Sequence, residues 1–189
     1  MSSVTGENPE RKKSGRIKLA LLGAFFALPV AAGWLIWWLD LAPGTPGNYG
    51  TLLQPQPVAL PDAGGLKGKW VLVQFDGGAC AAACERKLYF MRQVRRAQGR
   101  EMDRVARLWL LTDSVQPSPA LLQAFEGTVI APRGGIDAAN GAFPAEGSVT
   151  DQIYLVDPLG NLMMRFPKDP DPKRVIQDLQ RLLRASGFG

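Results

Sequence analysis

The apolar positions of the chain fall into three patterns. From Leu19 to Leu39 the sequence LALLGAFFALPVAAGWLIWWL carries no charge. At about 1.5 Å per residue, a helix of that length reaches across a hydrocarbon core of about 30 Å. Two short unbroken runs, WVLVQF at 70–75 and ARLWLLT at 106–112, read as buried strands. Elsewhere apolar residues recur at helical spacing. Leu88, Met91 and Val94 form such a stripe in a helix expected from Cys80 to Gln98 and stopped by Gly99, with Arg92, Arg95 and Arg96 on its other face. Ser118 followed by Pro119 opens a short helix through Phe125, and TVIA at 128–131 reads as a brief strand. The next stretch reads as a loop. QIYLVDPLGNLMMRF at 152–166 is then two apolar runs around the turn Asp157–Asn161, which predicts a hairpin. A last amphipathic helix follows, capped by Asp169 or Asp171, with Val175, Ile176, Leu179, Leu182 and Leu183 on one stripe.

Setting the brief strand aside, the order is β-α-β-α-β-β-α. Two strands joined by a helical crossover, then a hairpin and a closing helix, predict an α/β thioredoxin-like domain preceded by one transmembrane helix. The chain divides accordingly into a tail at 1–18, the transmembrane helix at 19–39, a tether at 40–60 and the domain at 61–189. Pro43, Pro46, Pro55 and Pro57, with Gly44, Gly47 and Gly50, are what make 40–60 read as extended or turn-rich.

The apolar helix is expected to be retained. A cleaved signal has an apolar region of about 7–15 residues and small residues at the cut, whereas this run ends in Trp34, Trp37 and Trp38, whose indoles favour the headgroup layer. Pro29 is tolerated within a span and predicts a kink. Orientation follows from charge. Arg11, Lys12, Lys13, Arg16 and Lys18 precede the run, and no basic residue follows it until Lys67. The N-terminus is therefore expected in the cytoplasm and the domain on the periplasmic side of a bacterial inner membrane. The chain has a net charge of +5, but residues 40–189 hold 17 basic and 15 acidic side chains, a balance of +2 that gives no reason to expect nucleic acid.

Candidate chemistry centres on the only two cysteines, Cys80 and Cys84, at the expected turn from the first strand into the first helix. A cysteine at a helix N-terminus meets unsatisfied N–H groups and the positive end of the helix dipole, which favours thiolate. Cys84 lies one turn deeper, and residues four apart in a helix are just close enough for a disulfide. Gly77 and Gly78 would allow positive φ and a close backbone approach to the sulfurs, and Ala81–Ala83 keep the intervening segment small. Redox or metal function, a structural bridge and two inert thiols all remain open at this point. A bridge closing so short a loop adds little stability. With no histidine in the chain, histidine nucleophile activation, Cys2His2 zinc sites and histidine acid–base work are excluded. Asp76 and Asp151 are candidates to take a proton near the sulfurs, although a turn acid and a strand-start acid explain them as well. The face bearing Arg92, Arg95, Arg96 and Arg100 would suit an acidic partner or lipid headgroups, or simply water.

The N-terminal anchor, LKGKWVLVQF at 66–75, the C-x-x-x-C of Cys80 and Cys84, RVARLWLLTD at 104–113 and YLVDPLGNLMMRF at 154–166 together resemble the Sco/SenC family. These are membrane-anchored thioredoxin-fold proteins that help deliver copper to the CuA centre of cytochrome c oxidase. The resemblance implies copper(I) on Cys80 and Cys84. Family members add a histidine just before the hairpin and a proline after the first cysteine, whereas this chain has Gly147-Ser148-Val149-Thr150-Asp151 and Ala81 there. It therefore implies a factor assisting cytochrome c oxidase assembly through a dithiol in exchange, or through weak Cu(I) handling, with oxidase subunits or other assembly factors as partners. In exchange, Cys80 would be the exposed attacking thiolate and Cys84 the resolving one. The alternative is a non-catalytic thioredoxin-like scaffold that binds an oxidase subunit or assembly factor.

Overall fold

The computed structural model describes residues 9–39, 47–62, 64–132 and 143–187, with side chains described from Ile17 onward. Residues 1–8 of the expected tail, 40–46 of the expected tether and 133–142 of the expected loop lie outside this set. Two compact units divide at Gly47. The first contains helix α1 (Pro9–Trp38), which runs on through Pro29. Its stretch Ile17–Trp38 is long and apolar enough to cross a membrane and is a candidate membrane span.

The second unit is a mixed sheet in the order β1-β6-β5-β2-β3-β4. Its strands are β1 (Thr51–Pro57), β2 (Trp70–Asp76), β3 (Val105–Leu111), β4 (Thr128–Pro132), β5 (Ile153–Val156) and β6 (Asn161–Phe166). Strands β2, β3 and β4 are parallel, and β5 runs antiparallel to β2 in register, with Gln74 opposite Ile153. The helices are α2 (Ala82–Arg96), α3 (Pro119–Ala124) and α4 (Pro172–Ala185), and a 3-10 turn at Gly99–Arg104 leads into β3. Strands β2 and β3 are buried on both faces, as their unbroken apolar runs require. On one face Leu72, Trp109, Leu155 and Phe166 pack with Leu88 and Met91 of α2 and with Val175 and Leu179 of α4. On the other, Val71, Val73, Phe75, Leu108 and Tyr154 form a separate apolar layer.

The reading of residues 40–60 as tether needs correction. Residues 51–57, read as tether, form the edge strand β1 against β6, so the fold begins before residue 61. An edge position is where proline is tolerated, and the pairing is irregular between Leu52 and Gln56, around Pro55. The chain just before β1 is tied down as well. The Gly50 amide donates to the buried Asp178 carboxylate at 2.9 Å, the Asp171 amide donates to the Tyr49 hydroxyl at 2.9 Å, and Arg174 lies over the Tyr49 ring. The cap of α4 is Asp171, whose side chain accepts from the Lys173 amide. Asp169 lies outside the helix with φ +49°.

The arginines of α2 also differ from a plain solvated face. Arg92 donates to the Ala124 carbonyl at 2.7 Å and Arg95 to the Val105 carbonyl at 2.8 Å, so they tie the helix to α3 and β3. Arg96 and Arg100 remain exposed. Arg107 of β3 is buried, with one guanidinium nitrogen donating to the Glu126 carbonyl at 2.7 Å. Burial, and then the neighbouring Arg95, Arg92 and Arg96, push its pKa down to about 10, so it keeps its charge at neutral pH.

Candidate functional site

Strand β2 ends at Asp76, and Gly77–Ala81 turn the chain into α2, which starts at Ala82 with no side chain capping it. Cys80 and Cys84 are joined as a disulfide with their Cα atoms 5.1 Å apart. Cys80 is not the first residue of the helix, as expected, but lies in the turn before it, ahead of Ala81. Its φ is +47° and its amide donates to the Gly77 carbonyl at 3.1 Å. Turning Cys80 out of helical conformation brings its Cα toward Cys84, at a backbone cost of about 1–2 kcal/mol for a non-glycine residue. In this oxidised form both residues are buried, Cys80 at 5% exposure and Cys84 at 1%. The expectation of an exposed Cys80 is corrected to that extent, because the disulfide folds both sulfurs against the α2 face of the core.

The glycines act differently from expectation too. Positive φ falls on Cys80, and Gly77 and Gly78 matter for space. A Cβ at Gly78 would overlap the Val115 carbonyl oxygen, and one at Gly77 would press on the Asp113 carboxylate. Asp113 accepts from the Gly78 amide at 2.9 Å and from the Val115 amide at 3.1 Å. The loop after β3 is thus the mould for the cysteine turn. Asp113 was legible only as the end of the RVARLWLLTD run; parallel pairing of β3 with β2 is what carries it to this turn.

On the opposite side of the turn, Lys87 of α2 gathers three acceptors. Its ammonium pairs with Asp76 at 2.7 Å and donates to the carbonyls of Phe75 at 3.1 Å and Thr150 at 2.5 Å. The other Asp76 oxygen accepts from the Gly77 amide at 3.0 Å. The structure therefore brings Asp76 to the cysteine turn, held through both oxygens. The carboxylate of Asp151 instead pairs with Lys168 at 3.2 Å. A cavity of about 370 Å³ opens beside this arrangement, walled by Ala83, Lys87, Phe90, Thr150, Ile153 and Lys168. On the sheet beneath α2, the Gln74 amide nitrogen lies 3.7 Å from the Cys84 sulfur. Sequence reasoning missed both Gln74 and Lys87. The one available signal for Gln74 was a polar residue inside an otherwise apolar buried run.

The donor set tests whether copper fits. Two thiolates would hold Cu(I) in linear geometry. Among the described residues no group of three histidine, cysteine or acidic side chains converges. Of the methionines, Met91 is fully buried in the core, and Met164 packs against Gly50 near β1. Among the described residues, the two sulfurs offer a pair of soft ligands, and no histidine, cysteine or carboxylate joins them to make a group of three.

Residues 70–186 match the family described as transmembrane-like, thioredoxin-like, C-terminal domain. The chain belongs to this family. The match spans β2 to the end of α4 and so contains the cysteine turn, Asp113, Lys87 and Thr150. Comparison with curated protein sequences finds no match. Among solved structures, the chain is similar to yeast Sco1 with copper bound, at 14% identity and a TM-score of 0.53, covering 75% of this chain and 96% of that one. It is also similar to a second structure of yeast Sco1, at 16% identity and a TM-score of 0.52, covering 66% and 85%. Both of these structures come from the family that the sequence motifs resemble, and at these identities what is shared is the thioredoxin-like fold.

Proposed function

We propose that this member of the transmembrane-like, thioredoxin-like family is a membrane-anchored dithiol–disulfide exchange protein of Sco-like type that assists cytochrome c oxidase assembly. The observation that carries the reading is the closed Cys80–Cys84 disulfide at the turn leading into α2. In the reduced protein, the Cys80 thiolate attacks a target disulfide, one target sulfur leaves, and a mixed disulfide forms. Cys84 then attacks the Cys80 sulfur, releases the target as a dithiol and regenerates the internal disulfide, so two electrons pass to the target. A dithiol donor re-reduces the pair. Cys80 takes the attacking role because it belongs to the turn and is the less buried of the two residues. The apo-oxidase copper site is the target class that the Sco resemblance favours, with oxidase subunits or other assembly factors as partners.

The basic cluster before the apolar helix and the absence of basic residues directly after it support a cytoplasmic N-terminus and a periplasmic domain in a bacterial inner membrane. Copper(I) on the reduced pair is the second role of the same residues. The exchange reading rests on the closed pair itself, and the copper role on two soft sulfurs beside which, among the described residues, no group of three histidine, cysteine or acidic side chains forms.

Trapping tests the assignment in the full-length, membrane-anchored chain. Cys84→Ser should accumulate covalent adducts that reductant releases, and Cys80→Ser should not; equal trapping by both variants would overturn it. Oxidase assembly retained by a Cys80→Ala/Cys84→Ala double variant would instead favour the scaffold. Cu(I) binding by the reduced chain that is lost in the double variant would add the copper role.

A further inference from the structure

Gln74 is an anomaly in its surroundings. It lies on β2 between Trp109 of β3 and Ile153 of β5, on the face that α2 covers. Leu72, Trp109, Leu88, Met91 and Ile153 around it are all buried and apolar, and Gln74 itself is 0% exposed. Its amide nitrogen is directed at the Cys84 sulfur at 3.7 Å, and its carbonyl oxygen has no hydrogen-bond partner. A disulfide sulfur is a weak acceptor with no hydrogen to give, so in the oxidised protein one end of this amide is poorly served and the other not at all.

Resting on the exchange reading, we propose that Gln74 biases the Cys80–Cys84 pair toward its dithiol form by hydrogen bonding to Cys84 more strongly when that sulfur is reduced than when it is in the disulfide. During reduction by a dithiol, the reductant's thiolate attacks the Cys80 sulfur and forms a bond to it. The Cys80–Cys84 bond breaks, and Cys84 leaves with the electron pair as a thiolate. The reductant's second sulfur then closes the reductant's own disulfide and frees Cys80; the two protons of the reductant end on Cys80 and Cys84. The leaving Cys84 thiolate accepts a charge-assisted hydrogen bond from the Gln74 amide nitrogen, stronger than any that a disulfide sulfur accepts. Once Cys84 is protonated, a half-turn of the Gln74 amide about its last side-chain bond gives the thiol the orphaned carbonyl to donate to. Both gains belong to the reduced side of the equilibrium, and the unsatisfied carbonyl burdens the oxidised side.

The test equilibrates the full-length protein in detergent micelles with mixtures of reduced and oxidised dithiothreitol, counting free thiols by alkylation and mass. Gln74→Leu and Gln74→Met keep the volume and remove the amide. Each should lower the equilibrium constant for reduction about tenfold, about 30 mV in potential, and slow opening by dithiothreitol. The melting temperature of the oxidised form should hold or rise, because the orphaned carbonyl is gone. A purely structural role would shift oxidised and reduced stability together and leave the constant unmoved. Constants within twofold of the parent, or a shift toward the dithiol, overturn the proposal. Should Gln74→Leu fail to fold, Gln74→Met decides alone. If the parent disulfide is not opened by dithiothreitol at any ratio, the exchange reading itself falls. If the parent opens and the variants match it, only the role of Gln74 does.

Discussion

Two turns of the domain are each organised by an aspartate, in opposite ways. In the hairpin, Asp157 accepts from the Leu159 amide at 2.9 Å and the Asn161 amide at 2.8 Å, so five consecutive residues contain the whole device. At the cysteine turn the organising carboxylate comes from Asp113, 35 residues away, and the space is defined by the Val115 carbonyl. The hairpin turn would form wherever its two strands meet, whereas the cysteine turn exists only because β3 lies beside β2. The lesson is that the chemically active turn owes its shape, including the left-handed Cys80, to a neighbouring loop, and what disturbs that loop should reach the sulfurs.

Glycine substitution gives the sharpest contrast. Gly78→Ala forces a Cβ into the Val115 carbonyl and should cost about 3 kcal/mol in denaturant unfolding of the oxidised chain. Gly160→Ala meets only a backbone oxygen at 3.9 Å and should cost about 1 kcal/mol, from its φ of +88°. A larger loss at Gly160 would reverse the comparison.

Removing the carboxylates comes next in size. Asp113→Ala strips an acceptor from two amides and should cost about 1.5 kcal/mol; it should also speed reduction of the disulfide, read as thiol release against time. Asp157→Ala should cost about 1 kcal/mol and leave the reduction rate unchanged. Matching reduction rates in the two variants would break the link between Asp113 and the sulfurs.

The smallest effect is expected at a third surface site, where Lys67 pairs with Asp62 and both are exposed. Lys67→Ala should leave the unfolding midpoint within error at neutral pH. The hydrogen bond and charge of Lys67 lower the Asp62 pKa below 3.8, so what the pair contributes is present above that value and is lost as pH falls below it. A measurable neutral-pH loss would show that a local exposed pair can matter as much as the Asp113 mould.

Much of this fold was legible because it is written in local periodicity. The runs at 70–75 and 106–112, the stripe of Leu88, Met91 and Val94, and the Asp157–Asn161 turn each specify an element through neighbouring residues alone. Strand β1 was not legible. Its prolines argue against a strand until β6 provides an edge, and Tyr49 and Gly50 show their role only once α4 lies against them. Within the site, the cysteines were legible as a pair and Asp76 as a candidate acid. Gln74, Lys87 and Asp113 were not, because a buried glutamine, a helix lysine and a strand-end aspartate have ordinary local explanations.

The sequence by itself determined an apolar helix long enough to cross a membrane, the order of strands and helices from β2 to α4, and the placement of two cysteines at a strand-to-helix turn, since hydrophobic spacing and turn chemistry act over a few residues. The tertiary structure decided that Cys80 leaves the helix to meet Cys84, that Asp113 and Val115 shape the turn, and that Gln74 lies under the Cys84 sulfur. Gln74 and Cys84 are 10 positions apart and Gly78 and Asp113 are 35, joined through sheet pairing and helix packing, and no local pattern records which distant side chains a fold will bring together.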